Sequence, residues 1–269
     1  MNKTISPLFI ATGMAVTALF VIGSGCGKSV EDQATSGKPQ LSYAMSGLYK
    51  PFNYKQGGKL VGFDVDIGKE LCKRLDYEPH PVTTPWQTII QGLKAKKYDA
   101  ILGSMAITEE RREQVAFSTP YYHSGAQLFV QKSNTAVTDK KDLRGKRIGV
   151  VKASTFKDVA EKLTAPDNVI GYDSDVIALQ DLTTGRIDAV LTDRLVGLSA
   201  INNNDLPIKE VAAPLYIDAM GIAVRKSESE QQLLAEINQA LAEIIADGTY
   251  AEISRKWFGR NILKNSPDE

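Results

Sequence analysis

The chain runs to 269 residues, 43% hydrophobic and 24% charged, which fits one or two globular domains and excludes a disordered, fibrous or polytopic membrane chain. Lys plus Arg and Asp plus Glu both count 32, so there is no basic excess for neutralising a nucleic-acid backbone, and no nucleic-acid partner is expected. Two histidines (His80, His123) and two cysteines (Cys26, Cys72) supply neither a structural zinc cluster, a disulfide framework nor a Cys-His nucleophile pair; no metal and no cofactor is expected.

Lys3 gives a positive start, and residues 8–22 (LFIATGMAVTALFVI) run apolar without a charge. That run is shorter than the ~20 residues of a comfortable spanning helix and matches a signal-peptide core. Gly23, Ser24 and Gly25 lead to Cys26, and a polar stretch follows. The pattern resembles a bacterial lipobox, with Gly23 where leucine is usual. It implies a signal peptide over residues 1–25, diacylglycerol on Cys26, and residues 26–38 as a flexible tether to the outer face of a membrane. The neighbouring Gly27-Lys-Ser29 mimics a phosphate-binding loop but fails on spacing, since the required glycine five positions earlier is Ile22.

Beyond the tether, short apolar runs alternate with helical periodicity. A strand is predicted over residues 41–45 and a helix over 66–75, with Ile67, Leu71 and Leu75 on one stripe and Cys72 beside them as a small buried residue. Such alternation argues for parallel sheets covered by helices. A repeat then stands out: Leu93-Lys-Ala-Lys-Lys-Tyr-Asp-Ala-Ile-Leu-Gly-Ser104 aligns without gaps on Leu182-Thr-Thr-Gly-Arg-Ile-Asp-Ala-Val-Leu-Thr-Asp193. Each copy reads as a helix end feeding a buried strand, which places Ser104 and Asp193 at equivalent carboxyl ends, where open α/β sheets bind ligands. Residues 230–246 carry Leu233, Leu234, Ile237, Leu241, Ile244 and Ile245 at helical spacing and stop at Asp247-Gly248. Thr249 is expected to cap a last helix whose Tyr250, Ile253 and Trp257 face the core, before a polar tail at 263–269.

The strongest motif is Gly62-Phe-Asp-Val-Asp-Ile-Gly-Lys-Glu-Leu71, in order with Tyr49-Lys-Pro-Phe52, Trp86, Gly103-Ser-Met-Ala-Ile-Thr-Glu-Glu-Arg111, Ala116-Phe-Ser118, Pro120-Tyr121, Ser154-Thr155, Asp193, Gly221-Ile-Ala-Val224 and Asp247-Gly-Thr-Tyr250. Together they resemble the family 3 extracellular solute-binding proteins of polar amino-acid ABC importers, over nearly all of the chain after the tether. The resemblance implies a type II periplasmic-binding-protein fold, α/β, with two lobes that are each a mostly parallel sheet flanked by helices, and ligand in the interlobe cleft. Lobe one would be residues 39–123 with 221–262 and lobe two residues 126–217, crossing near 122–125 and 217–220. It further implies a monomer outside the cytoplasmic membrane that closes on an amino acid and delivers it to a membrane ABC permease.

Carried residue by residue, the resemblance gives Arg111 the α-carboxylate, which its planar, permanently charged guanidinium can grip bidentately. Thr155 and Ala106 would add backbone N–H donors, Thr155 at a positive helix start. Asp193 would accept the α-ammonium, with the Gly103 carbonyl and Ser104 as auxiliary acceptors. Tyr49 and Trp86 would sandwich the side chain. Relatives that bind basic amino acids carry an acid three before the stacking tyrosine; here that position is Ser46, which ranks a carboxamide such as glutamine slightly ahead of arginine, since no other carboxylate for a buried cation is evident.

Two other readings share this fold. Cyclohexadienyl dehydratases have a similar Tyr49-Lys-Pro-Phe52, but their lysine after the hinge glycine and their glutamate three beyond the aspartate are here Ala126 and Val196, so proton transfer lacks its groups. A ligand-presenting partner of a membrane chemoreceptor or sensor is the other.

Overall fold

The computed structural model describes residues 37–263; the signal-peptide run, Cys26 and the tail beyond 263 lie outside the described residues. The chain opens with β1 (Gln40–Met45), a small meander β2 (Leu48–Tyr49), β3 (Asn53–Gln56) and β4 (Lys59–Val61), then α1 (Phe63–Arg74), β5 (Glu78–Thr83), α2 (Ile89–Lys94), β6 (Ala100–Ala106), α3 (Glu109–Gln114) and β7 (Val115–Phe117). The long β8 (Tyr122–Gln131) leads to β9 (Ile148–Val151), α4 (Thr155–Leu163), β10 (Val169–Tyr172), α5 (Asp175–Thr183), β11 (Ala189–Asp193) and α6 (Arg194–Asn204). The longer β12 (Ile208–Arg225) returns, and α7 (Gln231–Ala246) and α8 (Thr249–Phe258) finish the fold.

The strand order is β10-β9-β11-β8-β12-β6-β1-β5, with β7 added on β12. Both flanks are parallel: β1 pairs with β5 and β6, and β9 with β10 and β11. Between them β8 and β12 run antiparallel and belong to both halves, pairing Tyr122 with Met220, Ser124 with Asp218 and Gly125 with Ile217. The segments expected to cross, near 122–125 and 217–220, pair with each other here as parts of β8 and β12. Register slips in β12 between Val211 and Tyr216, where Ala212 takes φ 54°, so the strand bends as it passes from one half to the other. One core cluster is confined to the second half (Leu128, Leu143, Ile148, Leu191) and another to the first (Ala44, Ile101, Ile89, Leu93).

The predicted elements at 41–45, 66–75 and 230–246 are present within three residues at each boundary, and the helix start expected at Thr155 is the first residue of α4. The start of the last helix differs from expectation. Gly248, at φ 88°, is its N-cap and Thr249 its first residue, while the Asp247 carboxylate accepts from the Thr249 N–H at 3.0 Å. A left-handed glycine closing α7 leaves no room for a separate cap before α8. Tyr250 is core and Cys72 is buried, as read from the sequence.

The two repeat copies do equivalent work. Strands β6 and β11 begin at the aligned Ala100 and Ala189. Just before them, Asp99 accepts from the Ser42 N–H at 3.0 Å, and Asp188 from the Arg147 N–H at 2.7 Å. Each aspartate ties its strand to the parallel neighbour, β1 or the start of β9.

Gly62 explains why the signature motif begins as it does. Its φ is 134°, and a Cβ there would lie 2.1 Å from the Phe52 carbonyl oxygen. That close approach lets the carbonyls of Pro51 and Phe52 accept from the first free N–H groups of α1, at Phe63 (3.1 Å) and Asp64 (2.8 Å). The turn thereby aims Asp64 inward, beneath the strand ends.

Candidate ligand-binding cleft

The carboxyl ends of the parallel strands from both halves converge. Met45 of β1 leads to Ser46, β5 to Trp86, β6 carries Ser104 and Ala106, β9 leads to Ser154 and Thr155, β10 to Asp173 and Asp175, and β11 ends at Asp193. A cavity partly open to solvent lies there. Ser46, Tyr49, Trp86, Gly103, Ser104, Ala106, Arg111 and Thr155 all line it. Asp193 is outside that lining, at 1% exposure.

Arg111 reaches the cavity from α3, whose N-cap Thr108 accepts from the Arg111 N–H at 3.2 Å. One Nη1 donates to the Ala106 carbonyl at 3.0 Å, and the guanidinium sits 5.6 Å from the Trp86 ring centre. Among the described residues no carboxylate lies within 4.0 Å of it, so its remaining N–H groups hold no ion pair. Burial lowers its pKa, opposed by the fields of Asp218 and Glu110. Thr155 is the first residue of α4, where amide groups and the helix dipole face outward together.

Ser104 stands at φ 57°, a left-handed conformation that serine seldom takes. A buried polar network holds it. Asp64 Oδ2 accepts from Ser104 Oγ at 2.9 Å and Asn53 Nδ2 at 2.7 Å, Asp64 Oδ1 accepts from Tyr121 OH at 2.8 Å, and the same Tyr121 oxygen accepts from the Ser104 N–H at 3.0 Å. Because the Ser104 proton is given to Asp64, its hydroxyl presents only lone pairs to the cavity. Asn53 extends the network to the turn after β1, its Oδ1 accepting from Ser46 Oγ at 3.1 Å and the Gly47 N–H at 2.9 Å. Burial outweighs these donors and raises Asp64 to about 6. The fixed hydroxyl of Ser46 also accepts from the Leu48 N–H at 3.2 Å.

Asp193 caps α6. Its Oδ1 accepts from Ser124 Oγ at 2.6 Å and the Leu195 N–H at 2.7 Å, while Oδ2 is buried with no partner among the described residues. Burial, with a smaller contribution from the field of Asp175, raises it to about 7. Tyr49, whose hydroxyl pKa is raised by burial and by the field of Asp193, stacks on Phe52 at 5.1 Å, and Phe52 stacks on Tyr122 at 4.9 Å.

The cavity also holds acids that sequence reasoning missed. Asp173, Asp175 and Asp218 line it, so the expectation that no further carboxylate reaches the cleft fails. The strand-end rule that located Asp193 applies equally to Val169–Tyr172, whose first following residues are Asp173 and Ser174. Asp218 faces the cavity from the bent β12 strand, and nothing local in the sequence marks that.

The family profile of bacterial extracellular solute-binding proteins, family 3, matches residues 41–260. The chain belongs to that family. As a family 3 protein it is 32% identical to the L-cystine-binding protein TcyJ of Escherichia coli strain K12 over 257 residues, 93% of this chain and 96% of the relative. It is 37% identical to ABC transporter arginine-binding protein 1 of the same strain, across 83% of this chain and 92% of the other. Among solved structures, an ancestral arginine-binding protein bound to glutamine superposes with a TM-score of 0.77 at 38% identity, covering 83% of this chain and 99% of that one. These family 3 relatives are amino-acid-binding proteins by name, and the two-lobed α/β fold expected from the motifs is the one they share.

Proposed function

We propose that this family 3 protein captures a polar L-α-amino acid between its lobes and hands it to a membrane ABC permease, without transforming it. The observation that carries this reading is the meeting of Arg111, free of any ion pair among the described residues, with the start of α4 at Thr155 in one cavity. A guanidinium and outward N–H groups together suit an α-carboxylate. Asp193, with its partnerless buried oxygen, serves the α-ammonium, helped by the lone pairs of Ser104 and the Gly103 carbonyl, while Tyr49 and Trp86 flank the side chain. The neutral, buried Ala126 and Val196 leave the cleft without the proton-transfer groups of a dehydratase. Export as a monomer tethered through a lipidated Cys26 completes the proposal, and the native N-terminal mass tests that part.

Calorimetry against the twenty amino acids, on wild-type protein and on Arg111→Met, tests the function. Micromolar or tighter binding of one or a few of them, lost in the variant, is expected. Absence of binding to all twenty, or binding indifferent to Arg111, overturns the reading.

A further inference from the structure

Resting on that reading of the cavity, we infer that the ligand side chain is cationic and that Asp175 is its counter-charge. The cavity wall carries one cation, Arg111, and three carboxylates, Asp173, Asp175 and Asp218. Asp173 is already paired: Lys152 Nζ lies 2.9 Å away, and both side chains are exposed at the rim. Asp218 sits in the field of Arg111, the largest influence opposing its desolvation, at the end of the cavity assigned to the α-carboxylate. Asp175 has neither kind of relief.

Asp175 is 2% exposed and no cation lies within 4.0 Å of it among the described residues. Among the described residues its side-chain donor is Thr192 Oγ1, bonded to Oδ1. The contrast with Asp64 is informative. Asp64, equally buried, takes three side-chain donors shared between both oxygens and needs no ligand. Asp175 instead lines the cavity with Oδ2 uncommitted to any side chain, and burial raises it to about 6.

Its placement also separates it from the backbone end of the ligand. Asp175 is the first residue of α5, and α5 packs beside β2, which carries Leu48 and Tyr49. It therefore belongs to the Tyr49 wall, along which a side chain would extend. The α-ammonium compensates one buried acid, Asp193; a second buried acid in its field has only the Thr192 hydroxyl, its own backbone N–H and the start of α5 to offset its charge, and a second positive charge on the ligand would pair with it. A carboxamide would bond to Asp175 without neutralising it, and a carboxylate side chain would add a third like charge. Arginine, lysine and ornithine fit this wall, and the ring of Trp86 beside the path favours a flat cation.

Calorimetry on the wild-type protein decides, with arginine, lysine and ornithine set against citrulline, glutamine and cystine; citrulline has nearly the shape of arginine without its charge. The tightest cationic ligand should bind at least tenfold better than the tightest neutral one, and a smaller ratio overturns the inference. Asp175→Asn should reduce the arginine-to-citrulline ratio below threefold, with Asp175→Ser as a second charge-removing variant should the amide not fit against Thr192. A ratio of threefold or more in the folded variant removes Asp175 from the role. A neutral amino acid that binds tightest and is lost with Arg111→Met leaves the proposed function standing and overturns this inference alone, whereas no binding of any amino acid overturns both.

Discussion

The indole N–H of Trp86, which follows β5 in the first lobe, donates to the carbonyl of Ala153, which follows β9 in the second, at 3.2 Å. The contact spans the cleft mouth, and Ala153 holds the left-handed φ of 55° that turns its chain toward α4. A hydrogen bond between the lobes can form only while they are apposed, so it is expected to act as a latch on a closed arrangement. Trp86→Phe, which keeps a ring but loses the donor, should weaken ligand binding by about 0.5–1.5 kcal/mol. Solution scattering should show the radius of gyration falling when ligand is added, as hinge closure requires. A constant radius with binding verified would rule the hinge out, and unchanged affinity in Trp86→Phe would rule out the latch.

Arg111→Met and Asp193→Asn should each weaken amino-acid binding by at least about 2 kcal/mol, roughly thirtyfold, because each leaves a buried ligand charge unpaired. Thr155→Ala should cost less, since its backbone N–H stays in place. Titration calorimetry on the three variants gives the order, and wild-type affinity in either charge variant would move the ligand elsewhere.

Asp64 should act through Ser104 and Asn53 rather than by touching ligand. Asp64→Asn places an amide where two donors, Ser104 Oγ and Asn53 Nδ2, now converge on Oδ2. Either a donor clash or a lost acceptor follows, worth about 1–3 kcal/mol of stability. Affinity should fall as well, because Ser104 no longer gives up its proton. Exchanging the pair, Asn53→Asp with Asp64→Asn, restores a complementary donor and acceptor between positions 53 and 64 and should recover part of the melting temperature. No recovery would mean the network contributes shape alone.

The buried acids make both stability and binding depend on pH. Asp64 and Asp175 are raised to about 6 and Asp193 to about 7, chiefly by burial, from an ordinary value of 3.8. A carboxyl that is raised on folding binds its proton more tightly in the native state, so the stability it contributes is full below the unfolded value and is lost as pH rises toward 6 or 7. Unliganded protein should therefore melt higher at pH 5 than at pH 8. Asp193 faces Ser124 and the Leu195 N–H, with Asp175, Tyr49 and Tyr122 in its field and no cation among the described residues within 4.0 Å. A ligand ammonium paired with Asp193, as proposed, would require its ionised form, so binding at pH 6 should release a proton and weaken as pH falls further. Calorimetry in buffers of different ionisation heat reads that release directly; zero release at pH 6 would place the ammonium away from Asp193.

Much of this protein is written locally. The 3.6-residue stripe of Ile67, Leu71 and Leu75, the glycine stops at Gly248 and the repeat that aligns Ala100 with Ala189 depend on neighbours in the chain, so helices, strands and the duplicated lobe architecture could be read in order. The turn at Gly62 belongs to the same class, because its φ and its approach to Phe52 are settled within a dozen residues. Arg111 and Thr155 were read from the family motifs and Ser104 from motif and strand-end position together, and all three line the cavity.

What sequence alone left undecided is the charge of the cavity. Asp175 and Asp218 come from different elements, a helix start and a bent strand shared by both lobes, and only the tertiary fold brings them into one cavity with Arg111. Asp193 is read at its strand end, yet whether its oxygens are satisfied depends on Ser124, 69 residues away. Hydrogen bonding, burial and Coulomb fields act through space between groups the chain order keeps apart. The sequence by itself therefore determined the elements, the family motifs and the position of the cleft at the strand ends, and tertiary structure alone decided which acids line that cleft and which of them remain uncompensated.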